Sequence, residues 1–456
     1  MLCFGRMRAA ATDMPTAQAA ATTPRPRIVN GVLTFSHPSA GALLLYDDVG
    51  ATTLYGLCSG TLIGCRTFLT AAHCVCLDDA DDATACKRAG TVSPDALRVF
   101  LQHGGIFTVA HLTVSPEYSF AERGDIAVLT LGEPVRGVAP SGINTSSRPE
   151  VGTVGTIVGF GTTAPRPRSA ADAGIKRRGA VVTAPCPDDI PDETHICWEF
   201  LGSGSNTCEG DSGGPFFLTL GSSSVLAGVT SGGLGFDCVA PSVAFDTDVF
   251  VNRSWIAAVA GDDLGIERCG LPAAGTETTA TFTSSGQLDR ANPEAPLEFE
   301  VPEGTALLRV GLNGQLSSSS GFFGTSNDFD LLVRAGSAPS PDAYDCSAID
   351  STPFGFCEID SPRAGPWHVV VRLIQGEGTF QVTATTFAAA SPAPCTGDCS
   401  GDGTVTVDEI LKGVGIALGN ADLATCAVVN ANNDDVVTID EVLAAVTSVL
   451  TGCTAL

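Results

Sequence analysis

Charge is scarce in this sequence, and long apolar runs are missing. Asp, Glu, Lys and Arg make up 16% of its 456 residues, against about 25% in an average soluble domain. The deficit falls on the basic side: 24 Lys and Arg face 50 Asp and Glu, for a net charge of −26. Such a chain repels a phosphate backbone and an anionic lipid surface alike, which argues against nucleic acid as a partner. No apolar run approaches the roughly 18 residues that cross a bilayer. The greasiest stretches, 43–46 and 442–450, are short or broken by polar residues, so no membrane span is expected.

What is abundant points elsewhere. The 52 glycines favour turn-rich β structure over helical bundles, and the length exceeds one ordinary core, so about three modules are expected. Seventeen cysteines make sense where disulfides persist, outside a reducing cytosol. They are not grouped in the paired C-x-x-C spacings that a zinc site or cytosolic redox protein would carry. Export is therefore expected, although the N-terminus, with Arg6, Arg8 and the stretch 17–19, has no apolar segment of a signal peptide.

Residues 1–27 are rich in Ala, Thr, Pro and Arg and read as a leader or pro-segment. From 28 to 261, short β-type runs (61–68, 97–101, 125–131, 154–160, 225–230) alternate with turn residues, and one amphipathic stretch, 251–259, closes the region as a helix. A connector, 262–275, leads to a second β-patterned region, 276–386, and a linker at 387–394. The last segment, 395–456, holds nine acidic residues and a single lysine, Lys412. It contains a repeat: the stretch from Asp398 to Glu409 recurs 32 residues later as Asn430 to Glu441, and each copy runs into an apolar helical pattern.

Three separated words carry chemistry: Thr70-Ala71-Ala72-His73-Cys74, Gly124-Asp125-Ile126-Ala127-Val128-Leu129, and Cys208-Glu209-Gly210-Asp211-Ser212-Gly213-Gly214-Pro215. A serine hydroxyl is a poor nucleophile at neutral pH and needs a base; His73 has the right range, and Asp125 would hold its neutral ring in the useful tautomer. With these words in this order, residues 28–261 resemble the chymotrypsin/trypsin-like serine endopeptidases. The resemblance implies a two-barrel all-β domain, catalysis without a cofactor by His73, Asp125 and Ser212, and an oxyanion hole from the N–H groups of Gly210 and Ser212. Arg27-Ile28-Val29-Asn30-Gly31 resembles the family's activation site: an activating peptidase would cut after Arg27, and the freed Ile28 ammonium would pair with Asp211. The resemblance also implies disulfides Cys58–Cys74, Cys186–Cys197 and Cys208–Cys238. Two further bridges are expected among Cys65, Cys76, Cys86 and Cys269, with three connectivities open.

Specificity follows from the same resemblance. Asn206 stands at the base of the primary pocket where trypsin-like members carry an acid, so the residue before the scissile bond is expected to be neutral. Ser231, Gly232 and Gly233 match the strand that binds substrate backbone, with Gly232 in place of the usual aromatic and opening room for larger side chains. Ala244 would form the opposite wall, and Asp237 or Asp246 could add an acid from the side. The acidic loop 78–82 reads as a solvated insertion or a calcium loop.

The second region resembles the bacterial pre-peptidase C-terminal domain, a β-sandwich, through Asn327-Asp328-Phe329-Asp330-Leu331-Leu332-Val333, Gly365-Pro366-Trp367-His368, and Cys346 with Cys357. Asp328 and Asp330 would bind Ca²⁺ or cap a sandwich edge. The terminal repeat resembles dockerin-type or EF-hand-like calcium loops, a small α-helical domain whose oxygens suit the irregular shell Ca²⁺ takes. The ligands would be Asp398, Ser400, Asp402, Thr404, Thr406 and Glu409 in one loop, and Asn430, Asn432, Asp434, Val436, Thr438 and Glu441 in the other. A surface or protein partner would meet Val407, Asp408, Ile439 and Asp440. The sequence thus reads as a secreted endopeptidase acting on protein or peptide substrates; its rival is a catalytically silent binding or adhesion protein on the same fold.

Overall fold

The computed structural model describes residues 28–46, 54–163, 173–221, 223–235, 238–266, 269–270, 282–316, 327–388, 396–400, 404–431 and 436–451. The leader 1–27, with Arg27, lies outside them, as do Asp237, Cys395, Asp402, Asn432, Asp434, Cys453 and most of both linkers.

A short strand β1 (Val32–Leu33) precedes six strands that close a barrel: β2 (Ala40–Tyr46), β3 (Leu54–Leu62), β4 (Thr67–Thr70), β5 (Leu97–Leu101), β6 (Gly105–Val114) and β7 (Ala127–Leu131), in spatial order β2-β3-β4-β7-β6-β5. The expected strand 61–68 is two strands: the chain turns at 63–66, where the Asp263 carboxylate accepts from the N–H groups of Cys65 (3.0 Å) and Arg66 (2.8 Å). Helix α1 (Ala83–Ala89) sits in the insertion after β4, capped by Asp82 and tied by Cys76–Cys86.

The second half adds β8 (Gly142–Ile143), β9 (Val154–Gly159), β10 (Arg177–Val182), β11 (His195–Phe200), β12 (Pro215–Leu220), β13 (Ser223–Leu234) and β14 (Ser242–Asp248). They form an eight-stranded sheet, β1-β10-β9-β12-β13-β14-β11, with β8 beside β13. The expected closing helix is α2 (Val249–Ala260), capped by the Asp248 carboxylate. Cys65 and Cys269 are bonded across 204 positions, so the connector is stapled to the first barrel. With Cys76–Cys86 this settles the four cysteines left open, and the three pairs implied by resemblance are also formed.

Eight more strands build two four-stranded sheets. They are β15 (Phe282–Leu288), β16 (Glu294–Val301), β17 (Thr305–Gly314), β18 (Asp328–Ala335), β19 (Cys346–Ala348), β20 (Phe354–Asp360), β21 (Gly365–Gln375) and β22 (Gly378–Ala388). The orders are β15-β22-β17-β20 and β16-β21-β18-β19, and Cys346–Cys357 ties one sheet to the other. Inward residues such as Val310, Leu331, Val369 and Val382 form the shared core.

Among the described residues only the first six strands close, so the second unit is a half-barrel sheet where a second barrel was expected, and the sandwich packs on both. Phe354 and Leu316 enter one apolar cluster with Tyr46, Phe100 and Phe160. Gly311 is required there: a Cβ would stand 2.7 Å from the Gln102 carbonyl. Lys176 is fully buried at the seam, donating to the His37 carbonyl at 2.7 Å, and burial pushes its pKa down to about 7. The buried imidazoles of His37 and His103 lie close enough to feel its charge, and their pKa values fall to about 4, chiefly through burial.

The tail carries α3 (Val407–Ala417) and α4 (Ile439–Thr451), with Cys399–Cys426 bonded. Among the described residues no helix is long and apolar enough to cross a membrane.

Candidate active site

His73 follows β4, Asp125 precedes β7 and Ser212 precedes β12, so the cleft between the two β units collects all three. One cavity of about 610 Å³ is lined by both His73 and Ser212, together with Gly210, Leu57 and Phe120. The Asp125 carboxylate is fully buried and accepts from His73 Nδ1 at 2.7 Å, the His73 backbone N–H at 3.0 Å and Ser231 Oγ at 2.6 Å. A carboxylate accepts only, so the proton sits on Nδ1 and the Nε2 lone pair is free for a base's work. Burial pulls the His73 pKa down, but the Asp125 charge and their hydrogen bond outweigh it, and the net direction is up. Burial likewise raises the Asp125 pKa, and the His73 charge and the bonds from His73 and Ser231 reverse it, leaving the group below the usual range.

Ser231 reaches Asp125 because β13 is irregular there. The register against β14 slips between Thr230 and Gly232, a bulge that turns the hydroxyl toward the cleft.

The loop of Ser212 is held from several sides. Ser59 N–H donates to the Ser212 carbonyl at 2.8 Å, and Ser59 Oγ donates to the Gly210 carbonyl at 2.9 Å. Gly213 N–H donates to Thr230 and Gly214 N–H to Asp211, whereas among the described residues no backbone carbonyl accepts from the N–H of Gly210 or Ser212. Glycine at 213 serves close packing more than access for substrate: φ is +81°, and a Cβ would stand 2.1 Å from Thr70 Oγ1. The buried Asp211 carboxylate accepts from Gly161 N–H (2.8 Å) and Cys208 N–H (2.9 Å). Ile28 is 1% exposed and packs with Ile157, Trp198 and Phe216.

A second cavity of about 220 Å³ adjoins Ser212, lined by Asn206, Gly233, Ser242 and Ala244 and flanked by Cys208–Cys238. The Asn206 amide is fixed at both ends, accepting from Trp198 Nε1 at 3.0 Å and donating to Ser242 Oγ at 3.2 Å. Two expectations need correction. Gly232 does not simply widen the pocket: a Cβ there would meet Phe245 at 2.8 Å and Phe120 at 3.1 Å, so those rings occupy the missing aromatic's place. Asp246 does not reach the pocket either. It is fully buried behind Gly228, and burial raises its pKa well above the usual range.

Phe120 is the site residue that sequence reasoning missed. Its ring stands edge-on to His73 at 5.7 Å. The signal available was an aromatic five residues before Asp125 coupled to a glycine at 232.

Comparison with known proteins is decisive for the barrel and the sheet beside it. The Trypsin family matches residues 45–256. A trypsin of Saccharopolyspora erythraea is 30% identical over 213 residues, 45% of this chain and 84% of that protein. Brachyurin of Leptuca pugilator is 31% identical over 245 residues, 51% of this chain and 99% of that one. The chain belongs to the trypsin family of serine proteases. A snake venom serine protease of Trimeresurus stejnegeri is similar as well, 31% identical over 211 residues, 44% of this chain and 77% of that relative. Membership supports a serine endopeptidase that acts on protein substrates. Within this trypsin-family chain, the sandwich and the helical tail lie beyond the matched residues.

Proposed function

We propose that this protein is a secreted serine endopeptidase that cleaves peptide bonds through an acyl-enzyme on Ser212. The observation that carries the reading is the buried Asp125 carboxylate 2.7 Å from His73 Nδ1, in the cleft that Ser212 also lines. Ser212 Oγ attacks the substrate carbonyl carbon while His73 Nε2 takes the hydroxyl proton. The N–H groups of Gly210 and Ser212 stabilise the resulting oxyanion, each such donor contributing about 3 kcal/mol. The C–N bond then breaks as Nε2 returns its proton to the leaving amine. Water, deprotonated by His73, releases the acyl group by the same steps in reverse order. The test is labelling with an organophosphate. Wild type should be modified at Ser212 and the Ser212→Ala protein should not; an unlabelled wild type overturns the reading.

Activation by cleavage after Arg27 accords with the burial of Ile28, which packs with Ile157, Trp198 and Phe216. The freed Ile28 ammonium would pair with the buried Asp211 carboxylate, which already accepts from the N–H groups of Gly161 and Cys208. Arg27→Gln should leave the secreted protein inactive, and full activity in that variant would sink the idea. Export itself is supported by seven disulfides among the described residues.

The neutral amide of Asn206, held at both its oxygen and its nitrogen, supports preference for a neutral residue before the scissile bond. Profiling with a peptide library checks this, and enrichment of Arg or Lys at that position would count against it.

The sandwich is read as a pre-peptidase C-terminal-like module, and the tail as a dockerin-like calcium segment. The tail's donor set fits the ion in part. Asp398 and Glu409 are both 4% exposed, and both bond within the turn through Ser400. Asn430 Oδ1 is buried with no hydrogen-bond partner among the described residues, as a ligand awaiting a cation would be. Glu409 also closes a capping box with Thr406, and these bonds hold its pKa down to about 2. Calcium should slow proteolysis of the tail in the whole protein and do so less in Asp398→Ala; equal rates with Ca²⁺ and with chelator would remove the proposal. A surface or protein partner for the tail is supported by exposed Val407 and Leu411 on α3 and by Ile439 and Leu443 at the equivalent places on α4.

A further inference from the structure

Deepening that catalytic reading, we propose that Asn313 and Gln381 of the sandwich are positioning residues for the peptidase reaction, holding the segment 173–176 that backs the Ser212 loop. The two residues face each other across β17 and β22 and are 1% and 0% exposed. Asn313 Nδ2 donates to Gln381 Oε1 and to the Gly174 carbonyl, both at 2.8 Å. Gln381 Oε1 also accepts from Lys176 N–H at 2.7 Å, and its amide nitrogen donates to the carbonyls of Thr34 at 3.2 Å and Lys176 at 3.4 Å. From the barrel side, Gln102 Nε2 props Asn313 Oδ1 at 2.9 Å. The backbone joins in, because Leu316 N–H donates to the Ala173 carbonyl at 2.8 Å. Gly174 has φ +93° and lies so near that a Cβ would stand 2.4 Å from the Gly314 carbonyl.

A segment entering a buried seam must have its peptide groups paired. Here the pairing comes from side chains of another module.

The same segment leads directly to the catalytic loop. Gly174 N–H donates to the Phe160 carbonyl at 2.7 Å, and Phe160 N–H donates to Ser59 Oγ at 3.0 Å. Ser59 Oγ in turn donates to the Gly210 carbonyl at 2.9 Å, next to the N–H assigned to the oxyanion hole. One residue further along, Gly161 N–H holds the Asp211 carboxylate at 2.8 Å. Three hydrogen bonds thus separate Gly174 from Gly210. Buried networks of this kind are stiff when complete and costly when broken. A displacement of about 1 Å at a reacting centre is worth about 100-fold in rate.

Contiguity alone does not demonstrate coupling, so the test separates position from mere stability. Gln381→Met and Asn313→Leu, made in the full chain, should lower kcat by about 10- to 100-fold with KM nearly unchanged, because the loss falls on the transition state. Thr385→Val removes a different seam contact, the 3.1 Å bond to His103 from the barrel side. It should lower the melting temperature while leaving kcat intact. Should Gln381→Met fail to fold, Gln102→Ala withdraws the prop on Asn313 and a longer 3.5 Å bond to Gln381 Oε1, leaves the bonds of both residues to 173–176 in place, and should give a smaller kcat loss of the same sign. Unchanged kcat in the Asn313 and Gln381 variants, or an equal loss in Thr385→Val at matched stability, overturns the proposal. A wild-type protein without turnover or organophosphate labelling instead overturns the endopeptidase reading on which it rests.

Discussion

Replacing Ser212 with alanine should lower kcat by about 10⁶-fold, to the remnant that binding and the oxyanion donors supply by themselves. The size of the effect follows from the chemistry. Without Oγ there is no acyl-enzyme, and the Nε2 lone pair, freed by the Nδ1–Asp125 bond, has no hydroxyl to deprotonate. The fold should not change, because Ser212 is tied in by its backbone carbonyl, which accepts from Ser59 N–H at 2.8 Å and which the substitution leaves in place. Steady-state kinetics on a peptide substrate, with the melting temperature measured in parallel, check both halves. A kcat within tenfold of wild type would place the nucleophile elsewhere.

Asp125→Asn should cost about 10⁴-fold near neutral pH. An amide can donate to Nδ1, which puts the ring proton on Nε2 and faces a donor toward Ser212. The pH profile should move too. Asp125 raises the pKa of His73 against the opposing pull of burial, so its removal lowers the pKa at which the base loses its proton. Activity rises with pH through that pKa, and the acid limb of kcat/KM should therefore shift to lower pH in the variant. An unshifted limb would mean that His73 does not titrate as the base. Ser231 Oγ would still reach residue 125 from β13 in the variant, so the change tests charge and donor pattern more than position.

The meeting of His73, Asp125 and Ser212 at one cleft was legible because each sits in a distinctive local word. The pocket was only half legible. Asn206 and Ala244 line the cavity as expected, but the meaning of Gly232 depended on Phe120 and Phe245, which approach it from segments 112 residues before and 13 after. The turn at 63–66 was hidden for the same reason: Asp263, nearly 200 positions away, supplies its hydrogen bonds. The four unmatched cysteines offered three pairings with no local term to choose among them, and only folding the connector back onto the first barrel selects Cys65–Cys269. Gln102, Asn313 and Gln381 look like polar strand residues facing solvent, and alternation gives no hint that all three are buried at one seam. Both tail helices were expected, and both begin earlier than their apolar patterns, at Val407 and Ile439, where Glu409 and Glu441 fold back to bond Thr406 and Thr438.

The seam has a consequence for the order of biosynthesis. Gln102 meets Asn313 211 residues downstream and approaches Gln381 279 residues downstream. A ribosome making the chain from its N-terminus finishes the barrel and the eight-stranded sheet long before those partners emerge, and domains generally fold in that order as they appear. The nascent hydrolase therefore spends an interval without this seam, which closes only when translation has passed β22.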